Sequence, residues 1–219
     1  MITYNEIKHN ETIKTYIRKA DEALLSLGFT EHSFAHVGLV ATRAEYLLSS
    51  LGYKARDIEL VKIASFLHDI GNIVNRREHS QSGAVMAFRI LDNLNMPADE
   101  IATVVSAIGN HDEGEGEAVN AIAAALILAD KSDVRRTRVR NNDPARFDIH
   151  DRVNYSVYES DIKINEEKTQ ISLLLKIDTE ISSVMNYFEI FLNRMLMCQR
   201  AARALGLEFK LIINEQAIL

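Results

Sequence analysis

His68 and Asp69 are adjacent near the end of an apolar helical run, Phe66-Leu67-His68-Asp69-Ile70-Gly71-Asn72. An imidazole and a carboxylate on neighbouring residues give one divalent cation two donors, provided that others arrive from elsewhere in the chain. His36, His79, His111 and Asp130 recur at intervals around the pair. Nitrogen and carboxylate oxygen together suit Mn, Fe, Co, Ni or Zn rather than an ion that takes oxygen alone. Each histidine read singly is best explained as a core residue that satisfies a neighbour, but the ordered set points to a metal site. His32 competes with His36 because the two are four residues apart, whereas His9 and His150 have no such context and read as surface or structural residues.

Helices must position these donors. Ile13, Tyr16, Ile17, Ala20 and Leu24 keep helical spacing until Gly28, and Val37, Val40, Ala44, Leu47, Leu48 and Leu51 do so between Ser33 and Gly52, which places His36 in a first turn. A third helix is expected from an Asp57 N-cap through Ile70, with His68 and Asp69 in its last turns. Further helices are expected from about Gly83 to Leu94, from Pro97 to Ile108 with His111 just past its end, and from Ala118 to about Arg140 with Asp130 in the middle. Asp112 to Glu117 reads as a solvated acidic connector. After Pro144 the apolar period falls to 2. Val153, Tyr155 and Val157 read as a strand whose parity breaks within Tyr158 to Asp161, and Asn165 to Lys168 reads as a hairpin turn. Ile171 to Ile177 and Leu207 to Ile213 alternate as strands, with an amphipathic helix between them from Ile181 to Leu196 that Gly206 closes. The fold class is therefore mainly α: an all-α helical bundle over residues 1–145, then a small C-terminal α+β module (β-hairpin, helix, strand) over residues 146–219.

The chain of 219 residues, 47% hydrophobic and 26% charged, has the composition of a globular protein with a sizeable core. The single cysteine, Cys198, lies in an apolar helical pattern and reads as a small buried hydrophobe. That usage and the absence of a basic-then-apolar leader imply a cytoplasmic protein. The longest apolar run, Ala121 to Ala129, is too short to span a bilayer. A net charge of −6 argues against coating nucleic acid.

His36-Val37-Gly38-Leu39-Val40-Ala41, His68-Asp69-Ile70-Gly71 and Leu126-Ile127-Leu128-Ala129-Asp130-Lys131 resemble, in that order, the ligand segments of the HD superfamily of metal-dependent phosphohydrolases. The resemblance covers about residues 30 to 140, implies an HD-domain helical bundle, and favours His36 over His32 because the family has valine four residues after the ligand. His79-Ser80-Gln81-Ser82-Gly83-Ala84 and Asn110-His111-Asp112 are similar to the two extra histidines of its two-metal branch. The resemblance implies that His36, His68, Asp69 and Asp130 hold one ion, with Asp69 bridging to a second held by His79 and His111. The cofactor would be one or two divalent transition-metal ions (Fe, Mn, Ni, Co or Zn), and a water between two such ions would be the nucleophile. The Gly-Tyr-Pro signature of the cyclic-dinucleotide enzymes is missing, and Asn72 stands where many two-metal relatives have lysine.

The resulting expectation is a phosphohydrolase acting on a small nucleotide or phosphorylated metabolite, with Asp69 catalytic and Asn72, Lys131, Arg135 and Arg138 meeting the substrate. Lys131, Arg135 and Arg138, spaced i, i+4 and i+7, would form one helical stripe beyond Asp130. The alternative is a non-catalytic metal- and nucleotide-binding sensor or scaffold. No membrane or nucleic-acid partner is expected. An uncovered face of the α+β tail would serve as a homodimer surface.

Overall fold

A helix that is apolar on every side has to be surrounded by others. In the computed structural model, which describes residues 1–141 and 143–218, the run after Asn120 forms α7 (Ala121–Lys131), and every residue from Ile122 to Lys131 is buried. Four helices pack on it: α3 (Phe34–Leu51), α4 (Ala55–Leu67), α6 (Ala98–Gly109) and, from the C-terminal part, α9 (Val184–Ala204). The next helix, α5 (His79–Asn93), pairs with α6, while α2 (Glu11–Ser26) packs on a 3-10 turn, Ile70–Ile73, that follows α4. Periodicity does not reveal α1 (Tyr4–His9), a six-residue helix with one buried residue, Ile7, and a reciprocal cap between Thr3 and Glu6.

Boundaries depart from expectation where the chain must turn toward a neighbour. Lys54, not Asp57, is the N-cap of α4, and Asp57 sits in the first turn, where a carboxylate suits the positive end of the helix dipole. The same helix stops at Leu67, so His68 caps it and Asp69 stands between α4 and the 3-10 turn. The turn lies flat against α5. A Cβ on Gly71 would overlap the His79 carbonyl oxygen and the Gly83 nitrogen, and one on Gly83 would come 3.1 Å from the His68 carbonyl oxygen. This close approach draws the start of α5 back to His79 rather than Gly83. At the other side α7 ends at Lys131 rather than near Arg140. Ser132 turns its hydroxyl back to the Ala129 carbonyl at 2.7 Å, and the chain leaves the helix to bring Asp133 against His36. Lys131, Arg135 and Arg138 therefore do not form a helical stripe.

The C-terminal part comprises α8 (Ile149–Ser156), β1 (Val157–Ile164), β2 (Gln170–Ile177), α9 (Val184–Ala204), β3 (Glu208–Ile213) and a short β4 (Gln216–Ala217). Val153 and Tyr155 are helical, not extended, because Asp148 caps α8 by accepting from the Asp151 amide at 2.8 Å. The strand begins only at Val157, and the expected irregularity falls between Val157 and Glu159. In sheet order β1-β2-β3-β4, the outer pairs are antiparallel and β2 is parallel to β3, with α9 as the crossover. The inner face of the sheet and α9, including Cys198, join the buried cluster that α7 anchors, so hairpin, helix and strand follow a helical body on a shared core.

Candidate metal centre

Four imidazoles turn the same atom toward one point, because each has its other nitrogen already engaged. Nδ1 of His68 meets the Ser65 carbonyl at 2.7 Å, that of His111 the Ile108 carbonyl at 2.6 Å, and that of His79 the Arg76 carbonyl at 3.1 Å. His36 instead places Nδ1 2.7 Å from a carboxylate oxygen of Asp133. A ring that donates through Nδ1 presents an Nε2 lone pair, the arrangement that fixes metal-ligating histidines. The first three partners are local in sequence, three residues back along the chain. The fourth needs α7 and α3 side by side.

The lone pairs fall into two sets that Asp69 joins. Its Oδ2 lies 3.5 Å from His36 Nε2 and 3.3 Å from His68 Nε2, and Asp130 Oδ1 completes that side at 3.2 Å from His36 and 3.7 Å from His68. Its Oδ1 lies 3.3 Å from His79 Nε2 and 3.9 Å from His111 Nε2, which are 3.1 Å from each other. Donors bound at ~2.1 Å to one first-row ion stand ~3.0–3.4 Å apart, so these spacings fit. Within this cluster, His36, His68 and Asp130, and likewise His68, Asp69 and His111, have donor atoms close enough to share an ion. The residues present fit a divalent transition metal.

Electrostatics agree with a place for positive charge. Burial would raise Asp69, but the imidazoles, His68 first, hold it well below the usual carboxylate range; Asp130 is held low against burial by Lys131, then by His36 and His68. Burial would lower His68, yet the carboxylates of Asp69 and Asp130 raise it to about 10, while burial and its cationic neighbours push His111 well below 6.5. Without an ion, a proton on His68 compensates the two carboxylates. An ion would displace it.

Asn72, Lys131, Arg135 and Arg138, expected to meet substrate, are engaged inside the protein. Asn72 is buried, and its amide donates at 2.9 Å to both the carbonyl and Oδ1 of Asp69. Lys131 is buried with Nζ 2.9 Å from Asp130 Oδ2 and 3.4 Å from Glu113. Arg135 pairs with Asp133 at 2.6 Å, and Arg138 donates to the Glu31 and Asp133 carbonyls, both at 2.9 Å. The acidic connector is solvated only in part: Glu115 and Glu117 are exposed, whereas Glu113 pairs with Lys131 and with Arg194 of α9. His32 lies beside the cluster, its ring 5.5 Å from that of His36, with Nδ1 held by the Thr30 carbonyl. Sequence reading gave Asp133 no part in supporting a ligand and passed over Arg76, whose Nη1 is 3.4 Å from His79 Nε2. The signals available were an aspartate three residues past Asp130 and an arginine between His68-Asp69 and His79.

An uncharacterized protein of Methanocaldococcus jannaschii is 28% identical over 206 residues, which span 83% of this chain and 79% of that protein. The crystal structure of a predicted HD superfamily hydrolase from an uncultured Thermotogales bacterium is 23% identical and covers 58% of this chain and 69% of its own, with a TM-score of 0.46. Among the described residues no helix is long and apolar enough to cross a membrane. The HD domain family matches residues 33–146, just over half the chain and the stretch that carries all six converging donors, and the chain belongs to that family.

Proposed function

We propose that the protein is a metal-dependent phosphohydrolase that cleaves a phosphoester or phosphoanhydride of a small nucleotide or phosphorylated metabolite. The observation that carries this reading is the division of Asp69, one carboxylate oxygen toward His36 and His68 and the other toward His79 and His111. Two cations need a shared anionic ligand to offset their repulsion, and a carboxylate used through both oxygens meets that need. Ions held there would activate a water as nucleophile and would offset charge on the phosphoryl oxygens. The chain's own residues do the positioning. Lys131 takes Asp130 Oδ2 and leaves Oδ1 to the imidazoles, and Asn72 fixes the rotation of Asp69. Asp133 sets the ring of His36. Burial of all these groups keeps bulk water from competing for the donors.

The test is metal analysis of the purified protein together with a hydrolysis screen over nucleotides and sugar phosphates. Bound Fe, Mn, Ni, Co or Zn with hydrolysis of at least one phosphoester is the expected outcome. A metal-loaded protein that binds nucleotide but hydrolyses none of the panel would reverse the reading in favour of a sensor.

A further inference from the structure

Beside the cluster lies a cleft of about 140 Å³, lined by Arg76, Arg138 and Arg194 and, from α8 and its N-cap, by Asp148, Asp151 and Asn154. Arg138 and Arg194 are already held, the first by backbone carbonyls and the second by Glu113. Arg76 is not. It is half-buried, with Nη1 3.3 Å from Asn72 Oδ1 and 3.4 Å from His79 Nε2, and the described residues offer it no carboxylate within ion-pair distance. A partly desolvated guanidinium with only neutral partners, next to a set of metal ligands, calls for an anion.

The rest of the lining bears on what the anion is attached to. A nucleobase is recognised largely by stacking on an aromatic face. The cleft's two phenyl rings already carry a cation, Arg194 over Phe191 at 4.5 Å and Arg76 facing Phe29 at 5.8 Å, and the His32 ring packs against that of His36 at 5.5 Å, which leaves the exposed His150 as the one further ring of the lining. The volume is below the ~300 Å³ at which pockets for larger ligands begin. The side chains at the start of α8, from its N-cap Asp148 and from His150, Asp151 and Asn154, are instead hydrogen-bonding groups, two carboxylates, an imidazole and an amide, which suit hydroxyls. We propose that Arg76 binds the substrate phosphate and that the substrate is a compact, hydroxyl-rich phosphomonoester, a sugar or polyol phosphate, rather than a nucleotide. This rests on the phosphohydrolase reading for its chemistry, but the binding site can be tested apart from it.

Three probes are used on the metal-loaded protein: inorganic phosphate by calorimetry, and sorbitol 6-phosphate and adenosine monophosphate by both calorimetry and turnover. Sorbitol 6-phosphate should bind and turn over better than the nucleotide by at least about tenfold. Arg76→Gln should weaken inorganic phosphate and raise KM for both esters by about tenfold or more, with metal content unchanged, and Arg76→Lys should recover part of the loss. Asp151→Asn should weaken sorbitol 6-phosphate and leave inorganic phosphate as it was. A preference for the nucleotide, or a phosphate affinity indifferent to Arg76→Gln, overturns the proposal. Arg76-dependent binding of phosphate and sorbitol 6-phosphate without turnover supports the cleft and overturns the hydrolase reading; hydrolysis untouched by Arg76→Gln does the reverse.

Discussion

The two sides of the candidate metal centre are built differently. His36 and Asp130 lie inside helices, in the first turn of α3 and the last turn of α7, and His36 is backed by the buried carboxylate of Asp133. His79 and His111 lie at or beyond a helix boundary: the first opens α5 after Glu78, a non-glycine residue at φ 57°, and the second follows α6. Both are backed by backbone carbonyls, which polarise an imidazole less than a carboxylate does. The first side is thus fixed by the core. The second depends on how closely the turn after Asp69 lies against α5, and its ion should be the first to leave under a chelator.

Substitutions can break that contrast. Asp69→Ala removes the oxygen each side uses, so both ions should be lost and turnover should fall by at least ~1000-fold, equivalent to ~4 kcal/mol of barrier; elemental analysis and initial rates read this, and full activity in the variant would sink the assignment. His111→Ala should lower the metal-to-protein ratio without emptying the first side, and an unchanged ratio would argue for a single ion. Gly71→Ala forces a Cβ into the His79 carbonyl and should cost about 2–3 kcal/mol in urea unfolding. Its metal loss should come from the second side alone. Asp133→Asn keeps the shape but not the charge behind His36 and should weaken metal binding ~10–100-fold in a competition titration. His32→Ala should leave metal content as it is, because its ring lies beside His36 and its Nδ1 is spent on Thr30.

Much of this was legible in residue order. His36, His68, Asp69, His79, His111 and Asp130 are all imidazoles or carboxylates, and the apolar period on either side places each on or beside a helix. What stayed hidden depends on contacts between elements. The end of α7 at Lys131 follows from the pull of Asp133 toward His36, a residue 97 positions away. Glu113 looks solvated in sequence because its partner Arg194 belongs to the α+β part. The helical state of Val153 and Tyr155 is a local matter: the N-cap at Asp148 outweighs the alternation of their apolar side chains. Arg76 went unremarked because a lone arginine in a loop carries no period, and only proximity to His79 distinguishes it.

The stretch after α7 also sets how small a working fragment can be. Glu31 and Arg138 exchange hydrogen bonds, amide to carbonyl at 2.8 Å and Nε to carbonyl at 2.9 Å, and Arg140 pairs with Asp21 of α2. Residues 132–140 thereby act as a strap that ties α2 and the segment after it to the last ligand helix. A truncation ending at Lys131 would retain every donor atom of the centre and still lose the strap that holds His36 in place. The span to be cloned, swapped between relatives or grafted is defined by the buttress rather than by the ligands.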